Sequence, residues 1–435
     1  MALARWGQTI PFWSRMAPAA PSPARRGNRA RAGRLWVFLA VGLTSFILLN
    51  ILDKPVWGQE EAIRLGAINP LTGTLALHGI EIQQGIETAI AEVNAQGGVQ
   101  GRMITLLSRD DQSRPDVALN QTQDLILRQK VVGLVGGYVD SLVGPISALA
   151  ARHQIPYVAA ASLQKSLTAQ KNPFFFRVST MAGIIQPLSR FLVEVVQPRS
   201  VAILYTATPG STEFAATLRD LLEPQGIPVT VFEKFRPGTP DFSMLLLKVQ
   251  ERQAEVLISG GFFPDNLLLT RQLREKQTPL KAFIAPWGVA YEKFVREVRQ
   301  ASEGLLGLCA WNPGITFPGT EAAAAAFIQA FQARYSHLPN STTMHGYAAA
   351  RVLLAALARV LEQGQPLEGP NVAQALRHVE LLLPMGPIRF TPEGEPAAYE
   401  QVIVQIQEGA LRVVYPPERR NGQLRLPLPA AAAPQ

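Results

Sequence analysis

The sequence predicts an α/β protein in two domains, with parallel sheets covered on both faces. Three observations carry that expectation. From residue 63 onward, short β-rich runs alternate with helical patterns, and strands separated by helices of about 10–15 residues build parallel sheets. A length of 435 residues suits two domains of ordinary size. Apolar residues at 47% against 17% charged residues favour packed cores over disorder.

Residues 63–68 read as a strand. Over 81–95, Ile82, Ile86, Ile90 and Val93 fall at helical spacing, and Gly97-Gly98 stops the pattern. Residues 103–107 are a strand, 116–130 a helix behind Pro115, and 131–135 a buried strand. A helix over 143–153 and a strand over 157–161 follow. The rhythm restarts with helix 184–196, strand 201–205, helix 212–222 and strand 229–232. It continues through 242–251, 256–259, 266–276, 283–286 and 304–309. The two stretches are candidates for two copies of one architecture, and no short-period repeat is visible.

The last third changes character. Residues 321–335 and 342–362 read as long helices, with Phe327 and Phe331 one turn apart, and 371–379 as a third. Short strands over 387–390, 399–405 and 411–414 are joined by Gly-containing turns such as Pro392-Glu393-Gly394. From Pro416 the chain is rich in Pro, Arg and Ala, which predicts disorder over 417–435.

A sequence pI near 9.7 raises the question of nucleic acid, and the location of the charge answers it. Residues 1–34 hold seven arginines and no acid, and the stretch from Glu418 adds three arginines against one glutamate. Of the formal +8, these ends account for +7 and +2, which leaves −1 on the body. A near-neutral body has no electrostatic footprint for nucleic acid. Cys309 is the only cysteine, which excludes intramolecular disulfides, cysteine-based metal sites and a lipid-anchored cysteine near residues 50–60. It reads as a small buried core residue.

The arginine-rich start precedes LWVFLAVGLTSFILLNIL over 35–52. Positive charge followed by an apolar run is the layout of an export signal, with the basic side kept in the cytoplasm. Val56-Trp57-Gly58 offers a cleavage site, whereas 18 apolar residues also reach the threshold of a spanning anchor. Under either reading the body from about residue 60 lies outside the cytoplasmic membrane.

Catalytic and cofactor signatures are missing. There is no GxSxG, HExxH or GxxxxGK[ST] string, and Gly136-Gly137-Tyr138 lacks dinucleotide-loop spacing. His78, His153, His337, His345 and His378 are scattered, with no metal-pair spacing. The expectation is a protein that is not an enzyme and needs no cofactor or metal; an α/β enzyme is the remote alternative.

Three stretches taken in order resemble the type I periplasmic binding proteins, in the leucine/isoleucine/valine-binding branch. They are GAINPLTGTLALHG over 66–79 with NAQGGVQGR over 94–102, RDDQSRP over 109–115, and PDFS over 240–243 with SGGFFPD over 259–265. The resemblance covers about residues 62–415. It implies two α/β lobes, each a doubly wound parallel sheet, joined by three crossovers. Lobe one would comprise 60–184 and 311–385, and lobe two 185–310 and 386–416, hinged near 184, 310 and 385. It further implies a monomer that binds a small-molecule ligand in the periplasm and delivers it to the membrane permease of an ABC importer. A membrane-anchored ligand sensor built on the same module is the alternative.

By the same resemblance, the loops 72–79, 137–141, 159–163 and 261–265 line the cleft, faced by the segment around Trp287. The residues singled out are His78, Tyr138, Asp140, Ser141, Ala161, Ser162, Leu163, Phe262 and Trp287. In the family's amino-acid binders, a hydroxyl residue after the third strand and main-chain N–H groups of the next loop hold the ligand carboxylate. An aromatic and a glutamate of lobe two hold its ammonium group. Here an ungapped reading from Gly136 puts Asp140 at the hydroxyl position, whereas a one-residue gap returns Ser141 to it; Trp287 falls at the glutamate position under both, and Phe262 keeps the aromatic without a hydroxyl. A carboxylate beside a bound carboxylate repels it, and an ammonium without its glutamate stays unpaired, so the usual zwitterion clamp is in doubt. Asp140 has a second reading as a cap of the helix near Val143, Trp287 as a core residue, and His78 as a loop histidine. Phe262 and Phe263 point oppositely on an extended chain, so only one of them faces the cleft.

Overall fold

The structure, a computed structural model, describes residues 61–430. The apolar run 35–52, expected to be an export signal or an anchor, lies outside the described residues. The first α/β stretch contains β1 (Ile63–Asn69), α1 (Ala76–Ala95), β2 (Ile104–Asp110), α2 (Pro115–Gln123) and β3 (Gly133–Tyr138). It continues with α3 (Asp140–Arg152), β4 (Tyr157–Ala161), α4 (Ser166–Ala169) and β5 (Phe175–Arg177). All five strands are parallel, in the order β2-β1-β3-β4-β5. Helices cover both faces of such a sheet, so β3 to β5 are runs of buried residues rather than alternating ones.

The second stretch repeats the plan. It holds α5 (Ala182–Phe191), β6 (Val201–Thr206), α6 (Pro209–Leu222), β7 (Val229–Phe235) and α7 (Ser243–Glu251). Then come β8 (Val256–Gly260), α8 (Phe263–Glu275), β9 (Ala282–Ala285), α9 (Glu292–Val298) and β10 (Leu306–Cys309). Its parallel strands run β7-β6-β8-β9-β10, which matches the first sheet position by position. In both sheets the strand order reverses beside the first strand, and ligands of open α/β sheets bind outside the carboxyl ends of the strands at that point.

The last third completes both lobes. Helices α10 (Glu321–Tyr335), α11 (Ser341–Glu362) and α12 (Gly369–Leu376) precede the hairpin of β11 (Leu381–Leu383) and β12 (Gly386–Ile388). By length and apolarity α11 could cross a membrane, but here it is the core helix of lobe one, packed on α1, β3 and β4. The α1–α11 crossing is close enough to require glycines. A Cβ on Gly85 would lie 2.0 Å from the Thr343 carbonyl oxygen, and one on Gly346 2.1 Å from that of Ile82. The Asn340 side chain accepts from Thr343 N–H (3.0 Å) and starts α11. Finally, β13 (Val402–Gln407) adds to β10 in antiparallel fashion, and β14 (Ala410–Tyr415) pairs antiparallel with β13. The lobe-two sheet is therefore mixed, not purely parallel.

Two boundaries differ from expectation. The third crossover lies beyond 385, because residues up to Glu395 still pack on lobe one. Phe390 meets Phe176 edge-on at 5.1 Å, and the Glu395 carboxylate pairs with the buried Arg177 guanidinium. Residues 417–430, for which composition predicts disorder, run along lobe two. Gln405 exchanges two hydrogen bonds with the Arg425 backbone (2.8 and 2.9 Å), and Gln407 donates to the Gln423 carbonyl (2.5 Å). Leu428 is buried and donates its N–H to the Lys281 carbonyl (2.9 Å). Glutamine side chains of β13 that pair with its main-chain groups order a segment that has little apolar surface of its own.

Candidate functional site

The carboxyl ends of the two sheets face each other across a cavity of about 110 Å³. Both lobes line it, as do the crossover residues Ser179, Tyr399 and Gln401. Eight of the nine residues singled out in the sequence line this cavity: Tyr138, Asp140, Ser141, Ala161, Ser162, Leu163, Phe262 and Trp287.

His78 is the exception. Helix α1 begins at Ala76, five residues earlier than the apolar spacing predicts, and this places His78 in its first turn. There it is buried behind the wall, its ring 4.7 Å from that of Tyr138 and 5.6 Å from that of Tyr291. None of residues 72–79 lines the cavity. That loop is instead held down by Asp110, whose carboxylate accepts from Leu71 N–H (2.8 Å), Thr72 N–H (3.1 Å) and the Thr72 hydroxyl (2.6 Å).

The wall of lobe one is set by a strained turn. Gly136 and Gly137 have φ of 104° and 88°, and Val139 adopts φ 65°, a conformation that costs a β-branched residue free energy. A Cβ on Gly137 would lie 2.1 Å from the Tyr157 hydroxyl. This turn ends β3 and starts α3, projecting Tyr138 and Asp140 into the interlobe space. Asp140 is 7% exposed. Its Oδ1 accepts two main-chain N–H groups, from Leu163 (2.7 Å) and Gln164 (2.8 Å). Burial raises its pKa; the two N–H groups and the Arg177 charge pull the other way.

Arg177 supports that loop from behind. At 1% exposure it donates to the carbonyls of Ser162 and Gln164 (3.1 Å each) and pairs with Glu395. Neither Arg177 nor Glu395 stood out in the sequence. The only signal was an arginine directly after the apolar run 174–176, where a buried strand end is the natural place for it.

On lobe two, Phe262 precedes α8 and lines the cavity, while Phe263 turns into the core near Phe294 (6.0 Å). Asp265 turns back to accept Phe262 N–H (3.0 Å) and also accepts Gly238 N–H (2.8 Å), so its role is to cap and brace. Trp287 packs edge-on to Phe214 at 5.0 Å, and its carbonyl accepts from Asn266 Nδ2 (2.9 Å). Beyond the sequence expectations, the wall includes Ser211, Tyr291, Thr342 and His345. The Tyr291 hydroxyl shares a 2.6 Å hydrogen bond with Thr342 Oγ1, which links the lobes. His345 is bonded to the Tyr399 hydroxyl (3.0 Å), and burial pushes its pKa down to about 4, so it is neutral near pH 7. No lysine or arginine lines the cavity; Asp140 is the one acidic residue on its wall. No group of three or more His, Cys, Asp or Glu able to hold a metal occurs among the described residues.

The comparisons agree with this architecture. The family model for periplasmic binding proteins matches residues 62–410. The leucine-, isoleucine-, valine-, threonine- and alanine-binding protein of Pseudomonas aeruginosa is 24% identical over 388 residues, covering 88% of this chain and 97% of that one. A branched-chain amino acid transporter substrate binding protein from Streptococcus pneumoniae, solved with isoleucine, superposes with a TM-score of 0.72 at 19% identity. That match covers 84% of this chain and all (100%) of that one. A solute binding protein of an ABC transporter from Rhodopseudomonas palustris, solved with 3,4-dihydroxybenzoic acid, superposes with a TM-score of 0.70 at 20% identity. It covers 80% of this chain and 95% of that one. With two matched α/β lobes around a cavity and the family model spanning nearly all the described residues, this chain belongs to the periplasmic binding protein family.

Proposed function

We propose that the chain is the extracytoplasmic solute-binding component of an ABC importer. It captures a small polar or amphipathic ligand between its lobes and presents the closed form to a membrane permease. The observation that carries this reading is the interlobe cavity: residues from both sheets line it, three crossovers connect the lobes, and its wall holds one acidic residue and no lysine or arginine. Such a site can bind and enclose a solute but offers no nucleophile–base pair. The relatives named above are described as binding small amino acids or were solved with isoleucine or an aromatic acid, which supports a small-molecule cargo here. Closure is a hinge motion at the three crossovers, near 178–182, 310–320 and 396–401. The arginine-rich start followed by the apolar run 35–52, read as an export signal or a membrane anchor, supports a body in the periplasm.

A thermal-shift screen of amino acids, amides and aromatic acids tests this reading. A ligand present at 100 times its Kd adds about 2.7 kcal/mol of stability, and small-angle scattering with that ligand should show compaction. If no compound stabilises the chain and the radius of gyration never changes, the solute-carrier reading fails.

A further inference from the structure

Backbone N–H pairs on a cavity wall are natural seats for a carboxylate. Here the pair from Leu163 and Gln164 is already taken by Asp140 Oδ1. The other oxygen, Oδ2, lies against Gly210 at the amino end of α6, where a Cβ would come within 2.2 Å of it. A helix amino end favours negative charge, so the seat is filled by a carboxylate of the chain itself, with its second oxygen beside the start of α6.

The rest of the wall offers no counter-charge to a second carboxylate. Most of its hydroxyls are engaged: Ser211 with the Gly260 carbonyl (2.5 Å), Ser341 with Ala310 N–H (3.2 Å), and Thr342 with Tyr291 (2.6 Å). Three buried side-chain atoms on the wall have no partner: the Trp287 indole N–H, the Ser162 hydroxyl and Gln401 Oε1. Trp287 needs an acceptor, Gln401 Oε1 needs a donor, and Ser162 serves as either. Leaving these atoms unpaired is costly, and a ligand that pairs them recovers that cost.

We infer that the cleft takes an uncharged solute of the carboxamide class, with a carbonyl acceptor, an N–H donor and an apolar or aromatic body, because Asp140 occupies the carboxylate seat. The inference rests on the proposed solute-binding role of the cavity. It places the acceptor of the ligand at Trp287, its donor at Gln401, and its body among Tyr138, Phe262 and Tyr291.

Calorimetry of the full chain with matched pairs, benzamide against benzoate and isovaleramide against isovalerate, tests it, with leucine alongside. Each amide is expected to bind about ten-fold or more tightly than its acid. Asp140→Ser empties the seat and is expected to raise benzoate and isovalerate affinity about ten-fold or more. Asp140→Asn removes the charge but keeps an oxygen on the two N–H groups, so it should gain far less; circular dichroism checks that both variants fold. An acid or leucine bound more tightly than the amides by the native protein overturns the inference and leaves the solute-carrier reading standing. Where neither member of a pair binds the native protein, the variants decide. Acid binding gained by Asp140→Ser supports the occupied seat, and no gain, or an equal gain by Asp140→Asn, overturns it. A chain that responds to nothing in the broad thermal-shift screen fails the carrier reading itself.

Discussion

Asp140 of lobe one and Gly210 of lobe two meet across the cleft, so closely that a Cβ on Gly210 would lie 2.2 Å from Asp140 Oδ2. The carboxylate cannot easily retreat, because Leu163 and Gln164 hold its other oxygen. Gly210→Ala should therefore hold the lobes apart. Alanine is well tolerated near a helix start, so stability without ligand should change by about 0.5 kcal/mol or less. Ligand affinity should fall about ten-fold or more, and scattering should show a larger radius of gyration with ligand present. Undiminished affinity would mean that this contact does not limit closure.

Arg177 joins the wall loop at 162–164 to the third crossover through Glu395. Removing one member of a buried, hydrogen-bonded ion pair costs about 3–5 kcal/mol. Arg177→Met should cost about 3 kcal/mol in urea unfolding, since Glu395 keeps some access to water. Amide exchange at Leu163 and Gln164 should accelerate beyond the global change, which a defect confined to the core would not produce.

How much of this was legible in the sequence depends on the range of each interaction. Helices and strands with clear period were readable, and so were the loops at strand ends, which is why eight of nine chosen residues line the cavity. The boundary of α1 was not, because residues 76–80 carry no apolar stripe and tertiary packing alone extends the helix back to Ala76. That single error moved His78 from the cleft to the space behind it. Strand β5 is three residues long and lacks a periodic signal, so the Arg177–Glu395 link, 218 positions apart, was invisible. The tail failed for a different reason. Its composition has little apolar surface, yet Gln405 and Gln407 supply the partners that order it.

The crossing of α1 and α11 depends on the absence of two side chains. A Cβ on Gly346 would sit 2.1 Å from the Ile82 carbonyl oxygen, backbone against backbone, with no side chain that could swing away. Gly346→Ala should cost about 1–3 kcal/mol by overpacking, although alanine is the better helix former. The midpoint of urea unfolding should fall accordingly. An unchanged midpoint would show that the two helices slide apart without penalty.

The buried His345 and Asp111 give opposing pH dependences. Burial holds the folded pKa of His345 at about 4, below its ordinary value of 6.5. Between those values the unfolded chain binds a proton that the folded chain lacks, so stability rises with pH through that window. Burial raises Asp111 from 3.8 to about 7, with its Oδ2 unpartnered, while Ser113 N–H pulls its pKa the other way. Between 3.8 and 7 the folded chain holds the extra proton, so this contribution falls as pH rises. Within about pH 4–6.5 the two slopes offset each other in the native protein. His345→Gln should remove the rising component and Asp111→Asn the falling one. Relative to the native protein, His345→Gln should lose stability as pH rises from 4.5 to 6.5, and Asp111→Asn should gain it, each by up to about 1.4 kcal/mol per pH unit. Urea unfolding of the three proteins at three pH values across that range measures both slopes, and parallel curves would show that neither group titrates abnormally in the folded state.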